Sequence, residues 1–447
     1  MRERFVLLGL ARARAAWFRT VGQWATAAML PADFVRCVSI EELRARLRSG
    51  RAFSAVLIDG GSPGLDRDLI AEAAEVGVTT LVVDDGERDW RALGAAAVMA
   101  PVFSRDELLE VLEATSTPVG TATLSDPVVG EPAGPANGAV IAVTGPGGTG
   151  ASTVSIALAQ GLGAGHGWRT PDRGTASGPP SVLLADLCRV ADQAMLHDSR
   201  VVVPSIQEVV EAHRTATPDR GALLEQTFEV PARRYRLLLG LRRPRHWVAL
   251  RPRALESTLD SLQRLADVIV ADAEADLEGE AETGSTDVEE RNLLSRATIA
   301  RAELVVLVVE PSMKGIYAAV RTLGEITAFG VPAERVLPVV NRSPRSPRAR
   351  AELNAALGDL VGAGVVAGGE RLPAPLHLPE RAVEPALRDG GQLPGALARP
   401  LARGVAALRE RLDAPSPAPG PVAYTPVTPG DLAAFSPQEQ PPSQEQP

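Results

Sequence analysis

Lysine is almost missing from this chain. Of 46 basic residues in 447, one is lysine, Lys314, and the rest are arginine. Genome codon composition accounts for much of such a bias, and no fold conclusion follows from it. Cysteine is equally scarce. Cys37 and Cys188 fall in different predicted units, so no disulfide framework is implied and a reducing cytoplasm fits. No apolar run approaches the ~20 residues that span a bilayer. The N-terminal MRERFVLLGLARARAAWF lacks the longer apolar core and small-residue cleavage site of a signal peptide. The five histidines show no metal-ligand spacing with the cysteines. A net charge of −9 argues against nucleic-acid binding by the molecule as a whole.

What is present is a repeated alternation of short apolar runs and amphipathic stretches, over a length that suits two folded units. In residues 1–115, strands are expected at 5–10, 34–38, 55–61 (ending in Asp59), 79–85 and 96–101, with a helix in each interval. Ser39 with Glu42, and Ser104 with Glu107, have the spacing of capping boxes. Residues 116–138 carry Pro, Gly and small polar residues without a period and read as a linker. Residues 139–413 alternate again, with strands at 139–144, 181–186, 235–240, 267–272, 303–310 and 336–341. Polar insertions lie at 165–180 and 273–290. Residues 414–447, rich in Pro, Gln, Glu and Ser, are expected to be disordered. Both units therefore predict α/β folds with parallel sheets covered on both faces.

The segment AVIAVTGPGGTGASTVSIALAQGL (139–162) runs from a strand through a glycine-rich turn into a helix. Glycines let backbone N–H groups converge on phosphate oxygens, and the helix adds its positive end. Gly145, Gly150 and Ser152 have the spacing of a P-loop, but Ala151 stands where that pattern has lysine. Lys314 follows a later strand, and no spacing brings it to this loop.

GPGGTGAST (145–153) resembles the deviant phosphate loop of the MinD/ParA ATPases. The resemblance implies a P-loop NTPase-like doubly wound parallel sheet. It places Pro146 where the family has the lysine that reaches across a dimer, and Ala151 where it has the lysine on the β- and γ-phosphates. Gly145, Gly147, Gly148, Thr149, Gly150, Ser152 and Thr153 keep the nucleotide cradle. Downstream, VLLADLCRVADQAML (182–196) is similar to the family's strand and switch region. Asp186 matches its first aspartate and is the only candidate for a catalytic role. Cys188 stands at the aspartate linked to the attacking water. By the same resemblance, Asp272 in DVIVAD is Mg²⁺-associated together with Ser152, and Asn341 in VLPVVNR contacts adenine. A receiver-like, flavodoxin-like first unit ahead of such a domain is the layout of the CpaE-like proteins of pilus assembly and their septum-site relatives. Ala11, Arg12 and Ala100 replace the acidic pair and lysine of a working receiver, so Asp59 is expected in a pseudo-receiver.

The resemblance implies a cytoplasmic regulatory or localisation protein. It would act on a secretion-pilus or division apparatus through protein partners, with ATP or ADP and Mg²⁺ as the expected ligands and hydrolysis lost or strongly reduced. A homodimer and contact with the inner membrane face are compatible with this. Two alternatives stay open: an active ATP-dependent dimerisation switch, and a DNA-associated partitioning protein. Residues 233–253 hold eight arginines, which suit either an anionic partner or a solvated loop. Leu397, Leu401, Val405, Leu408 and Leu412 share one helical face, suiting either a membrane surface or the core.

Overall fold

The computed structural model describes residues 4–12, 15–26, 29–86, 88–119, 138–168, 179–362 and 372–413. Most of the expected linker (120–137) and the whole tail (414–447) lie outside the described residues.

The first unit is a five-stranded parallel sheet built from β1 (Phe5–Leu10), β2 (Ala32–Arg36), β3 (Ala55–Asp59), β4 (Thr79–Val83) and β5 (Ala97–Met99). Its order, β2-β1-β3-β4-β5, is that of flavodoxin-like sheets. β1 and β3 are buried along their whole length, as expected for strands covered on both faces. Ser104 caps helix Arg105–Thr115 in a full capping box with Glu107. At the earlier site Ser39 accepts from Glu42 N, but the Glu42 carboxylate accepts from Val38 N, one residue early. Among the described residues between β4 and β5 the expected helix does not form. Residues 90–94 are turns, in which Trp90 is fully buried and donates its indole N–H to Asp84, and Gly94 adopts a left-handed φ of 104°.

The second unit is an eight-stranded sheet of β6 (Ala139–Thr144), β7 (Val182–Asp186), β8 (Phe228–Val230), β9 (Tyr235–Leu238), β10 (Val268–Asp272), β11 (Leu304–Val309), β12 (Val336–Ser343) and β13 (Leu376–Pro379). The order is β13-β12-β11-β6-β10-β7-β9-β8, parallel except for the edge strand β8. β6, β10 and β11 are buried at every position. Helix Ala151–Gly163, almost wholly buried after its first turn, packs on one face against helix Gly395–Asp413. Leu397, Leu401, Val405 and Leu408 are inside this core, with Leu412 at its margin. The apolar stripe of the last helix therefore faces the protein. No described helix is long and apolar enough to cross a membrane.

The two units meet through polar groups. Helix Arg67–Glu75 of the first packs on helices Ile206–Thr215 and Pro252–Leu265 of the second. Asp66, which caps the first of these helices, pairs with Arg214 at 2.7 Å. Asp68 accepts the backbone N–H of Arg253, whose side chain pairs with Glu75. Arg67 donates to the His213 carbonyl.

Candidate functional site

The glycine loop sits at the carboxyl end of β6, between β11 and β10, where open α/β sheets bind ligands. Thr149, buried, folds its hydroxyl back onto the Pro146 carbonyl at 2.8 Å. Gly148 and Gly150 take left-handed φ values of 85° and 86°. At Gly150 a Cβ would also lie 2.7 Å from Asn341 Nδ2, so backbone conformation and close approach both require glycine there. Thr144, at the loop entrance, has a buried hydroxyl with no partner among the described residues.

Sheet register assembles the acidic side of the site. β10 pairs with β7 so that Asp272 lies opposite Asp186, which sets two carboxylates side by side at the same edge. Both are buried. Burial pushes the Asp186 carboxyl well above its ordinary range, and the Asp272 charge adds to this. Burial likewise raises Asp272 to about 6. Cys188 joins them: the candidate ligand atoms of Asp186, Cys188 and Asp272 all lie within 4.8 Å of one another. Burial and the two neighbouring carboxylates push the Cys188 thiol well above its ordinary value, so it stays protonated at neutral pH and is no substitute for a carboxylate.

Gln193 closes this cluster, and sequence reasoning missed it. Its backbone N–H donates to Asp186 at 2.9 Å. Its side-chain amide donates to Asp272 at 2.6 Å, to Ser155 Oγ at 3.0 Å and to the Ser152 carbonyl at 3.2 Å. Gln193 Oε1 is buried without a partner among the described residues. The neighbouring Ser152 hydroxyl, with Gln193, opposes the rise of the Asp272 pKa. Ser152, Asp272 and the orphan Gln193 oxygen form the hard-oxygen set that suits Mg²⁺, so the expected metal residues fit that ion. The cation would neutralise the triphosphate.

The opposite flank carries the positive charge. Asn341 lies near the carboxyl end of β12 and donates Nδ2 to the Thr149 carbonyl at 2.8 Å. It is thus joined to the loop backbone, a contact not foreseen from its expected role at adenine. Arg342 follows with a left-handed φ of 52°, and its guanidinium lies 3.7 Å from where a Gly150 Cβ would be. Arg342 is exposed. The sequence showed that the loop lacks lysine but could not say which arginine is near. Lys314 is exposed in the first turn of helix Met313–Ala328, beyond β11.

No protein-family model matches the chain, and no curated protein matches it. Solved structures do. The cell division ATPase MinD of Pyrococcus furiosus matches 62% of this chain and 99% of its own, at 20% identity and a TM-score of 0.42. The chain is similar to MinD/ParA ATPases. The septum site-determining protein MinD of Pyrococcus horikoshii, complexed with Mg-ADP, gives 62%, 96%, 19% and 0.41 in the same terms. A variant of Cyanothece McdA in complex with ATP gives 62%, 97%, 17% and 0.41. What the MinD/ParA-like loop of this chain can do follows from its own residues: a backbone cradle, hard oxygens on one flank and one arginine on the other.

The other anionic candidate, the arginine segment, is broken up by folding. Arg233 is fully buried, and Arg236, Arg242 and Arg253 are ion-paired to Glu229, Glu208 and Glu75. In the first unit Arg12 donates to the Asp59 carboxylate at 2.8 Å, at the position where an active receiver would bind a cation.

Proposed function

We propose that the chain is a regulatory or localisation protein of the MinD/ParA type, in the CpaE-like branch, that binds ATP or ADP with Mg²⁺ and does not turn it over at an appreciable rate. Its place would be the cytoplasm, where it positions a secretion-pilus or division apparatus through protein partners. The observation that carries this reading is the pairing of an intact backbone cradle with a depleted set of side chains. Phosphoryl transfer needs charge neutralisation at the γ-phosphate and an oriented water. A charge supplied there is worth roughly 10³–10⁵ in rate. Pro146 and Ala151 supply none, and a protonated Cys188 cannot orient water as a carboxylate would. Arg342 supports retention of the anion, since guanidinium pairs well with phosphate oxygens.

The test combines binding and turnover. Purified full-length protein should bind a fluorescent ATP analogue in a Mg²⁺-dependent way and release phosphate only at background rate. Turnover abolished by Ser152→Ala would refute the reading.

One observation favours the second reading, an ATP-dependent dimerisation switch: Val190, Met195 and Val201 to Val203 form an exposed apolar stretch after β7. Such a surface suits a second copy. Nucleotide-dependent dimerisation accompanied by phosphate release would select it. The DNA-partitioning reading loses support, because half of the arginine segment is buried or ion-paired.

A further inference from the structure

Arg233 is a fully buried cation with no carboxylate partner among the described residues. Its guanidinium donates to the Gly391 carbonyl at 2.8 Å, the Ala386 carbonyl at 3.0 Å and the Tyr235 hydroxyl at 3.4 Å. Burying an unneutralised charge is costly, and carbonyl dipoles offset only part of that cost. The residue lines a cleft of about 350 Å³, at the low end of the size range of ligand pockets. Arg234, Arg399 and His166 line it too, and the described lining holds no aspartate or glutamate.

The polar groups of the cleft wall are already satisfied. Gln160 exchanges two hydrogen bonds with the Leu393 backbone, and Gln392 donates to the Ala232 carbonyl. The last carbonyls of helix Ala151–Gly163 accept from Ala164, Gly165 and His166, so the negative helix end is capped. The side chains of Arg234, Arg399 and His166, by contrast, make no hydrogen bond or ion pair among the described residues. Arg399 lies in the first turns of helix Gly395–Asp413, whose positive end opens at Gly395. Two exposed guanidiniums, an imidazole and a helix N-terminus with no acid among them, backed by the buried charge of Arg233, form a receptor for a compact, multiply charged anion.

We propose that this cleft binds a phosphate-bearing anion, at a site separate from the glycine loop. The exposed forks of Arg234 and Arg399 match tetrahedral phosphate oxygens, and an anion held there also offsets the field of the buried Arg233 behind the cleft wall. The two sites are joined through hydrogen bonds. His197 Nδ1 is 2.7 Å from the Gln193 carbonyl, which can only accept, so Nδ1 carries the proton. His197 Nε2 lies 2.6 Å from the Tyr235 hydroxyl. Arg233, Tyr235, His197 and Gln193 thus form one hydrogen-bonded chain that ends on Asp186 and Asp272.

The experiment uses the full chain with inorganic pyrophosphate as probe, without Mg²⁺, followed by calorimetry and thermal melting. Saturable binding with a rise in melting temperature is expected. Arg234→Gln combined with Arg399→Gln, both exposed positions, should weaken it by at least about tenfold per arginine while the far-UV circular dichroism is unchanged. Arg342→Gln at the loop should leave it intact. A parallel flotation assay uses phosphatidylcholine vesicles doped with phosphatidic acid. Retention competed by pyrophosphate makes a lipid headgroup the source of the phosphate; pyrophosphate binding without retention makes it a soluble molecule. No saturable binding in either assay, or binding lost with Arg342→Gln and untouched by the double variant, overturns the proposal.

Discussion

Asn341 holds the glycine loop through one bond, Nδ2 to the Thr149 carbonyl at 2.8 Å, and in doing so fixes where Arg342 emerges. Arg342 sits in the register irregularity near the end of β12 with a left-handed φ of 52°, and its guanidinium lies beside Gly150. Replacing Arg342 by Gln should therefore weaken nucleotide binding by about tenfold, the value of one charge-assisted contact, and leave the melting temperature within error. Asn341→Ala should lower both, because it frees a loop carbonyl as well as the arginine. Titration of a fluorescent nucleotide with each variant checks this.

In the first unit, Arg12 occupies the Asp59 carboxylate. Acetyl phosphate or beryllofluoride should produce no phosphorylated or ligand-bound species, measured by intact mass and by fluorine NMR. Arg12 is largely exposed while Asp59 is not, so Arg12→Ala should cost less than about 1 kcal/mol of stability. It should not restore phosphorylation, because Ala11 and Arg12 stand after β1 where a working receiver has the acidic pair that holds the cation.

The contact between the two units should titrate. Burial raises Asp68 to about 6, with Asp66 adding to the rise and Arg253 N–H, Arg251 and Arg214 opposing it. A raised carboxyl keeps its proton in the folded state between 3.8 and about 6, so stability falls as pH rises through that window. His213 has the opposite sign. Burial lowers it to about 4, so the unfolded chain holds the extra proton between about 4 and 6.5, and stability rises with pH there. The two slopes partly cancel. Asp68→Asn removes the falling one and the buried charge that Oδ2, without a partner among the described residues, leaves uncompensated at neutral pH. Melting temperature against pH should then rise more steeply than in wild type, with a gain of at least about 1 kcal/mol at pH 7.

Leu401 is fully buried in the core between the last helix and helix Ala151–Gly163. Leu401→Ala should cost about 2–5 kcal/mol in chemical denaturation. A stripe that served a membrane surface would instead leave solution stability unchanged and reduce vesicle binding.

The central strands were legible because runs such as VIAV and LVVLVV have no other stable home than a sheet covered on both faces. The edge strands were not. Phe228–Val230 and Leu376–Pro379 are three and four residues long and partly exposed, so they carry no apolar run. β2 begins two residues before its expected start, because Ala32, a small residue beside a proline, supplies its buried end. In the site, Gly145, Gly150 and Ser152 could be named from spacing, and Asp186 and Asp272 only from the resemblance to the MinD/ParA ATPases. That Asp186 and Asp272 lie abreast follows from strand register, which the sequence does not spell out. Gln193 was missed because a single glutamine seven residues past an aspartate has no signature. Its function appears only once β7, β10 and the loop helix converge on it. Arg233 was counted within a surface segment, and only folding shows that it is inside.

Whether the loop binds nucleotide without consuming it is decided by paired titrations on the full-length protein. ATP binding is measured with and without Mg²⁺ on wild type and Arg342→Gln, and phosphate release is followed in the same samples. Mg²⁺-dependent binding that weakens in the variant is expected, with no phosphate released above background by either protein. Mg²⁺-dependent phosphate release by the wild type, lost with Ser152→Ala, would contradict a silent nucleotide site.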